Sequence, residues 1–258
     1  MDNSETASDT WTTLDVAGHS CRWFEPSRLN PHSFTVIYLH AAGCEDPAEY
    51  PAFAAEFARH GLRAIAPQSG PSWWSDRLCA EFDPHVTAEQ YLLDHVLPIV
   101  AARCNQSSPR VALLGISMGG QGALRLAYKY PDTFPVAAGI SSAIDFHLWL
   151  GAPREQPELK AQLTPLYRDM EDARQDTATL HIHPLNWPRH QFFCCDPSDH
   201  WHEGADRLRM KLQSIGVPYE CDLETEAGGH SWEYFSTMLP RCMDFIAERL
   251  EQDRRRIV

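Results

Sequence analysis

The stretch Val111-Ala-Leu-Leu-Gly-Ile-Ser-Met-Gly-Gly-Gln-Gly-Ala-Leu124 constrains the fold more than any other part of this chain. An unbroken apolar run, Val111 to Leu114, enters a glycine-rich turn. Good helix formers follow from Gln121 to Tyr130, with Pro131 just beyond. A buried strand must turn sharply into a helix here. Centred on the turn is Gly115-Ile116-Ser117-Met118-Gly119, whose small outer residues let strand and helix pack closely. Such a turn holds its serine in strained backbone geometry and pushes the hydroxyl clear of the sheet. It also aims the N–H of the next residue, Met118, into the same space. A G-x-S-x-G match is common by chance. The strand before it and the helix after it are what single out Ser117 as a candidate nucleophile.

Strand-like and helix-like segments alternate on both sides of this turn. His32 to Leu39 is β-rich, and Pro47 to His60 reads as a helix stopped by Gly61. Leu62 to Ala66 is a short strand, and Thr87 to Cys104 a long amphipathic helix with Thr87 as cap. Downstream come strands at Pro135–Ile140, Gln191–Cys195 and Tyr219–Leu223, with helices at Asp199–Ile215 and Trp232–Glu251. This order predicts an α/β fold: a mostly parallel central sheet with helices on both faces. Trp11–Val16 and Ser20–Glu25 suit an antiparallel hairpin at one edge. Two irregular stretches, 69–85 (rich in Pro and Trp) and 145–188, follow strands and are expected as rim or lid insertions in a single domain spanning 1–258.

Composition narrows the partners. A formal charge of −13 argues against nucleic acid or an anionic membrane surface. No apolar stretch reaches membrane-spanning length, and the acidic start, Met1 to Thr10, has no secretory pattern. The eight cysteines mostly sit in apolar runs (Cys194, Cys195, Cys221, Cys242) and never as C-x-x-C. Reduced thiols in a cytoplasmic protein, without structural zinc, are expected.

A serine hydroxyl needs a base. Of thirteen histidines, His230 stands out in Ala227-Gly-Gly-His230-Ser-Trp-Glu-Tyr-Phe235, a glycine-rich loop between the last strand and the last helix. The partner carboxylate is expected after the preceding strand, where Asp196 and Asp199 of Cys195-Asp-Pro-Ser-Asp-His-Trp-His202 both qualify. Oxyanion donors are expected at the Met118 N–H and in the loop His40-Ala-Ala-Gly43, at Ala42 or Ala41. Cys44 beside that loop is expected to be an inert small thiol. His181 and His183, or His200 and His202, lack the cysteine or carboxylate spacing of a metal site, and no metal or cofactor is expected. Trp73, Trp74, Trp149, Trp187, Trp201 and Trp232 are either pocket wall or core.

These motifs together resemble the esterase D-like esterases of the α/β-hydrolase superfamily, which include S-formylglutathione hydrolases, feruloyl esterases and bacterial mycolyltransferases. The resemblance rests on Gly115 to Leu124, the His40–Gly43 loop, Gly228 to Phe235 and the helix Gln90 to Ile99, and spans roughly Phe34 to Leu250. It implies an α/β-hydrolase fold. It also implies a Cys-Gly-x-x-Asp acid loop, which laid onto Cys195-Asp-Pro-Ser-Asp199 selects Asp199 and puts Asp196 in the glycine's place. The residues around His230 depart from the Asp-His-Ser-Tyr-Tyr-Phe pattern of S-formylglutathione hydrolases, so that activity is not favoured.

The function expected is a serine carboxylesterase acting on a small-molecule ester through an acyl-enzyme, with Ser117, Asp199 and His230 as triad. Acyl transfer with the same residues, or a non-catalytic binding protein on this fold, are the alternatives. Activity is expected to fall as pH drops through the imidazole range, about 6.5 when unperturbed.

Overall fold

The computed structural model describes residues 9–106, 110–151 and 157–255. Most of the acidic start, residues 1–8, lies outside them. Eight strands form one sheet: β1 (Thr10–Val16), β2 (His19–Glu25), β3 (Thr35–Leu39), β4 (Arg63–Pro67), β5 (Val111–Ile116), β6 (Val136–Ile140), β7 (His190–Cys194) and β8 (Glu220–Asp222). Their order is β1-β2-β4-β3-β5-β6-β7-β8. β1 and β2 form the edge hairpin and β2 runs antiparallel to β4, while every pairing from β4 to β8 is parallel.

Parallel strands buried on both faces need apolar residues at successive positions, and β3 and β5 are buried at every residue. The two faces still alternate with period two. Ile37, Leu39, Val111 and Leu113 enter one core. Val36, Tyr38, Ala112 and Leu114 enter the other. The second core is covered by α1 (Pro51–His60) and the long α10 (Trp232–Arg254). The first is covered by α2 (Ala88–Tyr91), α3 (Leu97–Cys104), α4 (Met118–Lys129) and α9 (His202–Ser214). The described residues of stretch 145–188 carry four short helices: α5 (Leu148–Gly151), α6 (Pro157–Leu163), α7 (Met170–Arg174) and α8 (Ala178–His181). No described helix is long and apolar enough to cross a membrane.

Three expected helices differ in detail, each for a local reason. The Thr87 cap is present as a full capping box with Gln90, but a π-helical turn, Leu92–Val96, separates α2 from α3. Pro98 has no N–H and its ring crowds the carbonyl four residues back. The chain responds one residue earlier, where the Leu97 N–H reaches the Leu92 carbonyl. Pro51 likewise disfavours helical geometry at Tyr50, so Pro47–Glu49 is a separate 3-10 turn before α1. α9 starts at His202 rather than Asp199, whose carboxylate is engaged elsewhere.

The strand order reverses at β3, which lies between β4 and β5. Loops leaving the carboxyl ends of β3 and β5 therefore part to opposite sides and leave a crevice, the place where open α/β sheets bind ligands. These are the His40–Gly43 loop and the turn at Ser117.

Candidate active site

Ser117 occupies the turn between β5 and α4 with φ 54° and ψ −114°, a strained geometry for any side chain but glycine. The strain persists because its backbone is held on every side. The Ser117 N–H donates to Ile140 O (2.9 Å), and its carbonyl accepts from the Gln121 and Ala143 N–H groups (both 3.0 Å). Close packing requires glycine at two neighbours. A Cβ on Gly115 would overlap the Gly119 carbonyl, and one on Gly119 would overlap the carbonyls of Leu39 and His40. The amino end of α4 is thereby pressed against both β5 and the loop after β3. Met118 is the first residue of α4, so its N–H has no intrahelical acceptor and lies at the positive end of the helix dipole.

His230 is presented by Gly228 and Gly229, both left-handed at φ 91° and 69°. Its Nδ1 donates to Asp199 Oδ2 at 2.8 Å, and its ring meets Phe235 edge-on at 5.1 Å. The other Asp199 oxygen accepts the Trp201 N–H at 2.9 Å. Burial alone would raise the Asp199 carboxyl. The His230 hydrogen bond and charge, with the Trp201 N–H, outweigh it and hold the group below the usual carboxylate range.

Asp196 has a different task. Oδ1 accepts the Ser198 N–H (2.7 Å), and Oδ2 accepts the N–H groups of Ala227 (2.6 Å) and Gly229 (3.0 Å). Its carboxyl too is held low by these bonds against burial. The two aspartates left open by position in the chain are therefore separated by geometry: Asp199 meets the ring and Asp196 ties the loop carrying it.

In the loop after β3, the Ala41 carbonyl accepts the Cys44 N–H at 3.0 Å and lies 2.7 Å from His40 Nδ1. In a trans peptide the following N–H points the opposite way, which turns the Ala42 N–H away from these donors. The Ala42 carbonyl accepts from Gln162 of α6 at 3.4 Å. Burial, followed by the Glu45 carboxylate, pushes the Cys44 thiol up, away from reactive thiolate.

The other candidates scatter. Trp73, Trp74 and Trp201 are buried in the core. Trp149 is half-buried, edge-on to His200 (5.7 Å) and Trp201 (5.6 Å), and His200 lies 4.7 Å from His230. Trp232, also half-buried, stacks on Tyr50 at 3.7 Å. His181 lies 3.9 Å from Asp176, and His202 meets the Leu223 carbonyl at 3.2 Å. Among the described residues, Asp199, His200 and His230 do bring potential metal-ligand atoms within 4.8 Å of one another, but two of the three are already paired. All eight cysteines are free thiols.

Sequence reasoning missed the supports of α4. Arg125, buried in that helix, pairs with Glu89 and, at 2.7 Å, with Asp176. Gln121 grips the 176–178 backbone twice: Nε2 donates to Asp176 O (3.1 Å) and Oε1 accepts the Ala178 N–H (3.0 Å). An arginine among Ala123, Leu124, Leu126 and Ala127 was the available signal, since a charge within an apolar helix needs a buried partner.

A family model described as "Putative esterase" matches residues 80–246, more than half of the chain. That span holds Ser117, Asp199 and His230 and stops short of the His40–Gly43 loop. An acetyl esterase of Caldicellulosiruptor saccharolyticus is 25% identical over 154 residues, which are 55% of this chain and 56% of that protein. The chain thus spans about half the length of this curated relative. Among solved structures, the fluorophosphonate-binding serine hydrolase FphF of Staphylococcus aureus is 16% identical. It superimposes with a TM-score of 0.75 over 92% of this chain and 98% of its own. The S-formylglutathione hydrolase FrmB of the same organism gives 16%, 0.73, and 92% and 98% coverage. At this identity the structures establish a shared α/β-hydrolase fold.

Proposed function

The chain belongs to the Esterase family, and from that premise we propose that it is a serine carboxylesterase acting through an acyl-enzyme on a small-molecule ester. The observation carrying this reading is the His230–Asp199 pair at 2.8 Å, set on the same sheet edge as a serine held at positive φ. With Asp199 on Nδ1, the His230 ring keeps its Nε2 lone pair for a proton, the tautomer a general base requires.

Ser117 Oγ attacks the ester carbonyl carbon while its proton passes to His230 Nε2. The Met118 and Ala42 N–H groups hold the oxygen that gains negative charge, and Asp199 stabilises the imidazolium. Collapse breaks the carbon–oxygen bond to the alcohol, which leaves with the proton from His230. Water then loses a proton to His230, attacks the acyl carbon and frees Ser117 and the acid. In this reading the chain is one α/β-hydrolase domain, and the rim segments near 69–85 and 145–188 shape its pocket.

Hydrolysis of p-nitrophenyl esters across acyl lengths, by wild type and Ser117→Ala, tests the reading. A loss of kcat on the order of 10⁴ or more in the variant is expected. A folded wild type inert towards every ester contradicts it.

A further inference from the structure

The loop after β3 opens on a buried histidine. His40 is 1% exposed. Its Nε2 lies 3.1 Å from the Ser69 backbone N and 3.3 Å from Ser69 Oγ, and its Nδ1 lies 2.7 Å from the Ala41 carbonyl. A backbone N–H can only donate, so Nε2 is the acceptor. The ring proton then sits on Nδ1 and donates to Ala41 O. Burial pushes the imidazole down to about 4, so the ring stays neutral. With the Cys44 N–H as second donor, that carbonyl is fixed twice.

His40 is itself braced by the start of the 69–85 stretch, where Ser69, Ser72, Trp73 and Trp74 are buried. Ser72 Oγ donates to Ser69 Oγ (2.8 Å), the Trp74 N–H donates to Ser72 Oγ (3.2 Å), and Trp74 Nε1 donates to His40 O (3.2 Å). The Trp74 ring packs 4.9 Å from the His40 ring, and its Cβ fills the space a side chain at Gly122 of α4 would need. Trp73 and Trp74 both stand at positive φ, 56° and 50°, a strain that bulky residues carry only where packing imposes it.

We propose that His40, backed by Ser69, Ser72 and Trp74, is a positioning residue that fixes the 41–42 peptide so that the Ala42 N–H faces the reacting carbonyl oxygen. This rests on Ser117 being the nucleophile.

The test compares His40→Ala with His40→Asn, whose amide nitrogen takes the place of Nδ1 as donor to Ala41 O. His40→Ala is expected to lower kcat about 10²-fold with KM little changed, the effect of one lost oxyanion donor. His40→Asn should recover most of that loss. Matched oxo- and thionoesters supply a readout that packing damage does not move. A sulfur anion gains little from these donors, so the oxygen-over-sulfur preference should shrink in His40→Ala and return in His40→Asn. Long-range ¹H–¹⁵N NMR of the wild type needs no variant and should place the proton on Nδ1 at pH 6. Turnover that Ser117→Ala abolishes secures the reading beneath the proposal. An unchanged kcat or preference in His40→Ala, or equal loss in both variants, then overturns the role of His40 alone. So does a ring proton on Nε2.

Discussion

The His230 loop and the His40–Gly43 loop both leave the carboxyl edge of the parallel strands, and their bracing is opposite. A single carboxylate, Asp196, gathers three backbone N–H groups of and beside the His230 loop at 2.6 to 3.0 Å. In the other loop a single carbonyl, Ala41 O, gathers two donors. Presenting a side chain calls for holding the N–H groups around it, and a buried anion does this with short, charge-assisted bonds. Presenting an N–H calls for holding the carbonyl on the far side of its own peptide, which a neutral imidazole does. The first brace is one residue; the second passes through Ser69, Ser72 and Trp74. Damage to the first should appear mainly in stability, and damage to the second in kcat.

The largest expected effect separates the two aspartates of the His230 side. Asp199→Asn keeps the shape but favours the wrong His230 tautomer and should lower kcat by about 10⁴. Asp196→Asn, which acts on the loop rather than on the ring, should lower kcat by about tenfold at most. Steady-state kinetics of both variants decides this, and equal losses would erase the distinction between ring partner and loop brace.

Next in size is Arg125→Met, which strips the buried partner from Glu89 and Asp176 beneath α4. It should cost about 3–5 kcal/mol of unfolding free energy. Denaturant melts measure it, and a neutral result would mean that the support of α4 lies elsewhere.

Asp196→Asn should itself cost about 1–3 kcal/mol, since the amide nitrogen that replaces one of the two accepting oxygens cannot accept a backbone N–H. Its pH signature has a definite sign. The Asp196 and Asp199 carboxyls are both held low in the folded protein. Their contribution is present above the unfolded carboxylate pKa, about 3.9, and is lost as pH falls through the lower folded values. The wild-type Tm should therefore drop below about pH 4, and less steeply in Asp196→Asn. Parallel curves would show that the loop does not depend on that charge.

The smallest effect belongs to the second brace. Trp74→Phe removes the donor to His40 O but keeps the ring in place. It should lower kcat by about tenfold at most, consistent with one hydrogen bond worth about 0.5–1.5 kcal/mol. A loss as large as that of His40→Ala would move the brace from His40 to Trp74.

How much was legible follows from how local each signal is. Ser117, Met118 and the β5–α4 turn could be read from one contiguous stretch, because strand, turn and helix each leave a periodic or steric mark. His230 could be found because glycines flank it. The choice between Asp196 and Asp199 could not be made from their neighbours alone, since three residues separate them and only the folded loop shows which carboxylate meets the ring. His40 and the Ser69–Trp74 brace left no mark, because they meet across 29 and 34 residues through hydrogen bonds that no spacing rule encodes. Arg125 did leave a mark, a charge within an apolar helix, but its partners lie 36 and 51 residues away and no spacing names them. The helix breaks at Pro51 and before Pro98 show a smaller lapse: both prolines were visible, but their effect falls on the residues before them.

The proposed mechanism stands on Ser117 being the activated nucleophile. Intact-protein mass spectrometry after incubation with a fluorophosphonate, followed by peptide mapping, tests it most directly. A single adduct on Ser117, absent from Ser117→Ala and strongly slowed in Asp199→Asn, is the predicted result. A folded wild type that takes up no label, or takes it up on another residue, would contradict the account.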